Sequence, residues 1–245
     1  MMTARRSPSW FHMPIILMAL ASVLHIPADA ARDDALAIDL SEDLIGISTG
    51  FTGASVLLFG ATEGEGSVIV LVRSPNSRVV VRRKSRVAGI WVNSDELTFD
   101  DAPGFYHAAA SAPLEDLLPD DIRRANQIGV NNIGFKPHAF LSADEEKAFR
   151  MALIRNKQRS GLYSTQSGRV TFQGSRLFRT RLELPANVPT GKYAVEVFLV
   201  NEGQIVGRST RELSVRKVGL EAKITEFAFE QAPLYGIIAV LIALI

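Results

Sequence analysis

Cysteine is absent from this chain of 245 residues. That excludes disulfides, thiol catalysis and thiolate metal sites. Histidine is scarce: His107 and His138 are the only ones beyond residue 30, and neither belongs to an H-x-x-x-H pair, so zinc of that type has no ligand set. Charge of one sign is also missing. The formal net charge is +1, and removing residues 1–30, which hold Arg5, Arg6 and Asp29, brings it to zero. A neutral chain lacks the basic footprint of a general nucleic-acid binder. Low-complexity tracts and repeats of fixed period are absent, and nothing alternates strand with helix as a parallel sheet would require.

What is present is apolar ends around a β-rich middle. Arg5 and Arg6 precede the run Met13–Ile26, followed by Pro27-Ala28-Asp29-Ala30, the three-part pattern of a secretory signal with an A-x-A site. The run is 14 residues long, short of the roughly 20 that span a bilayer, so cleavage after Ala30 is expected rather than an uncleaved anchor. The C-terminal run Pro233–Ile245 has 13 residues, or about 20 Å of helix, and no terminal Lys or Arg. It reads either as the start of a truncated transmembrane helix or as a core segment. An all-round apolar helix favours the first, with the N-terminal side outside.

Between these ends, Leu36, Ile38 and Leu40 alternate with Ala37 and Asp39, the period of a half-buried strand. Apolar runs at Ser55–Phe59, Ser67–Val72, Arg78–Val81 and Val87–Val92 continue the pattern. Turns are expected at Thr62–Gly66, Ser74–Ser77 and Asn93-Ser94-Asp95. A helix-prone stretch runs from Pro113 towards Gly129. Ser142-Ala-Asp-Glu145 then reads as a capping box opening a helix with Ala148, Phe149, Ala152 and Leu153 on one face and Gly161 as its stop. Strands resume from Tyr163. Phe178, Thr180, Leu182 and Leu184 alternate; Tyr193, Val195, Val197 and Leu199 share a face; Asn201–Gln204 makes a hairpin turn.

The expected fold is mainly β: two Ig-like, β-sandwich-type domains, 31–112 and 162–218, joined by a helical segment, 113–161. A signal peptide (1–30), a juxtamembrane segment (219–232) and the start of a transmembrane helix (233–245) complete the plan.

Four places carry candidate chemistry. Gly46-Ile47-Ser48-Thr49-Gly50 matches G-x-S-x-G, and Asp95, Asp100 or Asp101 with His107, or Asp121 with His138, stand in the right order for a triad. No helix is expected after Ser48, however, and the nucleophile elbow requires one. The loop Gly60–Gly66 has a phosphate cradle's glycines but no lysine, and Glu63 and Glu65 oppose an anion; a hairpin turn is expected there. Asp100-Asp101 near His107 could receive a hard cation, although such a pair before Pro103-Gly104 ordinarily sits in a solvated turn. Arg82, Arg83, Lys84 and Arg86 cluster near Trp91. They suit a small oxyanion or anionic headgroups, or else protect an edge strand by charge. These patterns assign no catalytic, cofactor or metal residue.

Four segments together resemble a known family. They are Ser48–Gly53 leading into Val56–Ala61, Gly104-Phe-Tyr106, Phe178–Tyr193, and Val215–Ala222 before the apolar tail. They resemble an uncharacterised family of alphaproteobacterial putative transmembrane proteins. The resemblance implies a periplasmic β-rich region before one C-terminal transmembrane helix in the inner membrane. It also implies genes that often lie beside TauE/SafE-type sulfite-exporter permeases, and no catalytic or ligand residue. The expected function is therefore non-enzymatic: an accessory or interaction module without cofactor, held to the membrane by its C-terminus, with a polytopic permease as candidate partner. An oxyanion-binding module at Arg82–Arg86 and a serine hydrolase at Ser48 are the alternatives.

Overall fold

The alternating residues Leu36–Leu40 form strand β1, the first of thirteen in a computed structural model that describes residues 35–139 and 141–219 and the single positions 233, 236, 240, 241 and 244. The expected signal, most of the juxtamembrane segment and most of the C-terminal run lie outside the described residues. The chain continues as β2 (Leu44–Ile47), β3 (Gly53–Thr62), β4 (Ser67–Arg73), β5 (Asn76–Val87), β6 (Ile90–Pro103) and β7 (Tyr106–Ala110). Two short helices, α1 (Leu114–Leu117) and α2 (Asp120–Ala125), are separated at Pro119. Then come β8 (Lys136–Pro137), α3 (Ala143–Arg159), β9 (Gly168–Arg169), β10 (Thr171–Gln173), β11 (Leu177–Pro185), β12 (Gly191–Asn201) and β13 (Gln204–Lys217).

Three sheets result, with strand orders β1-β3-β11-β10, β2-β13-β12-β4-β7-β9 and β5-β6-β8. The six-stranded sheet is the middle layer. On one face Val68, Val70, Val72, Tyr193, Val195 and Val197 meet Val56, Leu58, Phe178 and Leu182 of the first sheet. On the other, Ile69, Leu71, Tyr106 and Phe198 are covered by Leu118, Ile128, Phe149 and Leu153 of the helical region and by Leu97 and Phe99 of the third sheet. Burial on both faces explains why β4 reads Val-Ile-Val-Leu-Val without alternation: either side of the pleat finds apolar cover.

The architecture is mainly β, but the strands expected to make two successive sandwiches pair with one another. Leu58 of β3 stands opposite Thr180 of β11, and Val70 of β4 opposite Val197 of β12. β2 runs parallel to β13. The segment 113–161 covers the outer face of a shared sheet instead of joining two domains. Alternation reveals which face of a strand is buried, not which strand lies beside it, and here the free edges of each half are closed by the other.

Local signals were more literal. Ser142 Oγ accepts from the Glu145 amide at 3.4 Å and the Glu145 carboxylate accepts from the Ser142 amide at 3.3 Å, a complete capping box for α3. The β12–β13 turn falls at Glu202 and Gly203, both with positive φ, a type I′ pattern. In the Leu184–Tyr193 loop the Tyr193 hydroxyl donates to the Pro189 carbonyl four residues upstream, the arrangement of a tyrosine corner. Gly191 there has φ 148°, and a Cβ on it would meet Pro75 Cγ at 2.7 Å. By contrast Gly60–Gly66 is no hairpin turn, because β3 and β4 lie in different sheets.

Candidate functional site

The third sheet is built on one long hairpin, and its far end leaves the body of the protein. β5 and β6 reverse at Ala88 and Gly89, with φ of 51° and 87°. Two positive φ values make this a two-residue type I′ turn, whose twist matches that of the flanking strands. The expected turn at Asn93-Ser94-Asp95 is instead a bulge: Arg83 pairs with Asp95, Lys84 with Asn93, and Ser94 is the extra residue. Ser94 Oγ donates to the Asp95 carboxylate at 2.9 Å. The run Val87–Val92, read as one strand, straddles the turn.

Opposed residues on two strands share a face. On the inward face Val79/Phe99 and Val81/Leu97 enter the core, and the Arg83 guanidinium lies 4.7 Å from the centre of the Phe149 ring on α3. Beyond Arg83, Ser85/Val92 and Val87/Ile90 continue that face, and from Val87 to Val92 its apolar side chains are exposed. Val87 is 58% exposed, Ile90 69%, Trp91 66% and Val92 40%. Four residues per strand past Arg83 amount to an arm of about 13 Å at ~3.3 Å per residue. The opposite face carries Arg82/Glu96, Lys84/Asn93 and Arg86/Trp91.

The electrostatics of the arm are graded. Arg82 Nε is 3.0 Å from the Glu96 carboxylate and Arg83 3.7 Å from that of Asp95. Among the described residues Lys84 and Arg86 make no ion pair; Arg86 Nε donates to the Gly89 carbonyl at 3.2 Å. Residues 84–94 hold two cations and no carboxylate. The expected four-residue cluster is therefore split: Arg83 turns to the inward face, while Arg82, Lys84 and Arg86 line up along the other. A row on a flat ribbon matches an extended anionic surface better than one small oxyanion. Edge protection accounts for the cations but not for Val87, Ile90, Trp91 and Val92, which a merely protective edge would not expose.

The other candidates are dispersed. Ser48 follows edge strand β2 and begins a turn closed by Phe51 N to Ser48 O at 3.0 Å, after which β3 starts with no helix. His107, on β7, is four strands away in the order β2-β13-β12-β4-β7, roughly 19 Å along the sheet at ~4.8 Å per strand. Asp95 is at the base of the arm, opposite Arg83, and Asp121 on α2, so no triad is assembled. Asp100-Asp101 forms a second bulge, with Asp101 at φ 58°. Its neighbour is His138 rather than His107: His138 Nδ1 lies 3.0 Å and Arg78 Nε 2.8 Å from the Asp100 carboxylate, and Lys136 Nζ 2.6 Å from that of Asp101. Arg78, then His138, hold the Asp100 carboxyl below its usual value. These bases occupy the oxygens a cation would need, and no metal-binding group of three or more residues forms among the described residues.

His107 is a largely covered base whose Nε2 atom is buried. Among the described residues this Nε2 makes no hydrogen bond, and a Cβ on Gly168 would sit 2.9 Å from it, so β9 lies close over the ring. Burial lowers its pKa from the ordinary 6.5, with Glu183 opposing weakly. The unfolded chain then binds more protons than the folded one below about pH 6.5, so stability is full above that pH and declines as pH falls through it. The urea midpoint is expected to drop on acidification, and His107→Gln to flatten that dependence; an unchanged slope would rule His107 out as its source.

With this geometry in place the comparison with protein families is decisive. The family model described as Putative transmembrane protein (Alph_Pro_TM) matches residues 35–245. The chain belongs to this family. No curated protein matches the Alph_Pro_TM chain. Among its described residues no helix is long and apolar enough to cross a membrane. In the tail, Val240 and Leu241 are helical, and Val240, Leu241 and Leu244 are exposed.

Proposed function

We propose that this Alph_Pro_TM protein is a non-enzymatic accessory module, anchored by its C-terminus in the inner membrane with its β-rich body in the periplasm, and that it works by contact through the β5–β6 arm. The observation that carries this reading is the arm itself. Folding gains nothing from holding Val87, Ile90, Trp91 and Val92 in water, since exposed apolar groups contribute only when a surface covers them. The family's description and the apolar tail support the membrane address. The resemblance points to a sulfite-exporter-type permease as the embedded partner.

Crosslinking the tagged full-length protein in its native membrane, followed by mass spectrometry, tests the partnership. A polytopic permease recovered specifically supports it. Recovery of only self and bulk envelope proteins overturns it.

A further inference from the structure

Resting on the reading of the arm as a contact element, we infer that its tip is a shallow anchor for the headgroup layer of an anionic bilayer. The apex pair Val87/Ile90 is apolar, and the next pair back is Arg86/Trp91. Lys84/Asn93 follows about two pairs behind that, and Arg82/Glu96 after the bulge. At ~3.3 Å per residue the two unpaired cations lie about 3–10 Å behind the apex. An apolar edge that enters 5–10 Å into the headgroup and acyl boundary thus brings Arg86 and Lys84 level with the phosphates. Tryptophan beside such cations suits this layer, which wets one part of the indole and buries the rest.

Charge complementarity fixes the sign of the surface. No carboxylate lies distal to Asp95, and the two nearest, Asp95 and Glu96, are matched by Arg83 and Arg82. Size separates a lipid surface from a protein groove: a standard protein interface buries ~800 Å² per partner, whereas this apex is the end of a two-stranded ribbon carrying four exposed apolar side chains. Backbone chemistry sets the depth. Among the described residues both strands of the distal ribbon have one edge unpaired, and unpaired peptide groups cannot enter hydrocarbon. Only side chains therefore pass the headgroups.

Trp91 reports its own environment. The chain has two tryptophans, and Trp10 lies in the expected signal, so Trp91 stands alone in the cleaved protein and Trp10→Phe isolates it in the uncleaved one. The full-length protein is reconstituted in protein-free vesicles of phosphatidylcholine, or of equal parts phosphatidylcholine and phosphatidylglycerol, with lipids brominated near the headgroup end. In the anionic vesicles Trp91 emission is expected to shift blue and to be quenched, and less so in phosphatidylcholine or at high salt. Lys84→Glu and Arg86→Glu each weaken the local equilibrium by about fivefold or more. Both sites are exposed, and Ile90→Ser serves as an uncharged second variant. Solvent-like, unquenched Trp91 in anionic vesicles overturns the lipid assignment, as does quenching indifferent to charge reversal. If position 91 then photo-crosslinks to an integral protein in native membranes, the arm reading survives without the lipid. If it crosslinks to nothing, both fail.

Discussion

Replacing Glu196 by alanine is expected to lower the unfolding free energy of the protein by about 3 kcal/mol. Glu196 is a buried carboxylate, 5% exposed, in the middle of β12 and of the central sheet. It faces the covered side with Phe198 and Val200, where an unpaired charge would be prohibitive. Two arginines compensate it from the adjacent strands: Arg73 of β4 pairs with one carboxylate oxygen and Arg208 of β13 with the other. The register places Arg73 opposite Ala194 and Arg208 opposite Phe198, so the two reach Glu196 diagonally from opposite ends. Burial already holds the Arg73 guanidinium below its usual pKa, and Arg208 adds to that.

Removing the carboxylate leaves Arg73, only 22% exposed, beside a second cation with nothing between them. Breaking a buried pair in this way costs about 3–5 kcal/mol. The lower end applies because Arg208 is half exposed and its charge can return to water. Urea denaturation of the full chain, with a lower midpoint at unchanged slope, would register the loss. A loss under about 1 kcal/mol would mean that the triad is solvated and structurally idle.

Serine at Ile90 and Trp91 together is expected to do the opposite: change stability by less than about 0.5 kcal/mol, yet reduce membrane-dependent crosslinking by about tenfold or more. Both side chains are about two-thirds exposed, so the fold loses little when they go. If the arm makes the contact, they are its central apolar and aromatic groups, and large losses are typical of such positions. The separation of the two readouts carries the argument, since a structural role would move stability and a passive surface would move neither.

Elements whose signal lies within a few residues were legible in the sequence. β1 and β11 announced themselves by alternation, α3 by its Ser142–Glu145 box, and the β12–β13 turn by its glycine. Strand partnership was not legible, because a half-buried strand presents the same pattern beside any neighbour. The arm was misread for two local reasons. Ala88 adopts a positive φ that alanine disfavours, so the true turn carried little signal, while Asn93-Ser94-Asp95 carried a strong one and became a bulge. A clue did exist: Arg82-Arg83 and Asp95-Glu96 lie symmetrically about Gly89, as complementary cross-strand pairs should. Exposure was hidden as well, since Val87–Val92 looks like core until the hairpin is seen to outrun its cover. In β12, Glu196 alternates with Val195 and Val197, and the helical region closes the face it lies on.

The most direct test is site-specific photo-crosslinking from position 91 of the full-length protein in native membranes. The contact reading predicts adducts between the arm and a membrane component, lipid or integral protein, that disappear when Ile90 is serine. Absence of membrane adducts from position 91, in a protein that is folded and correctly located, would contradict it.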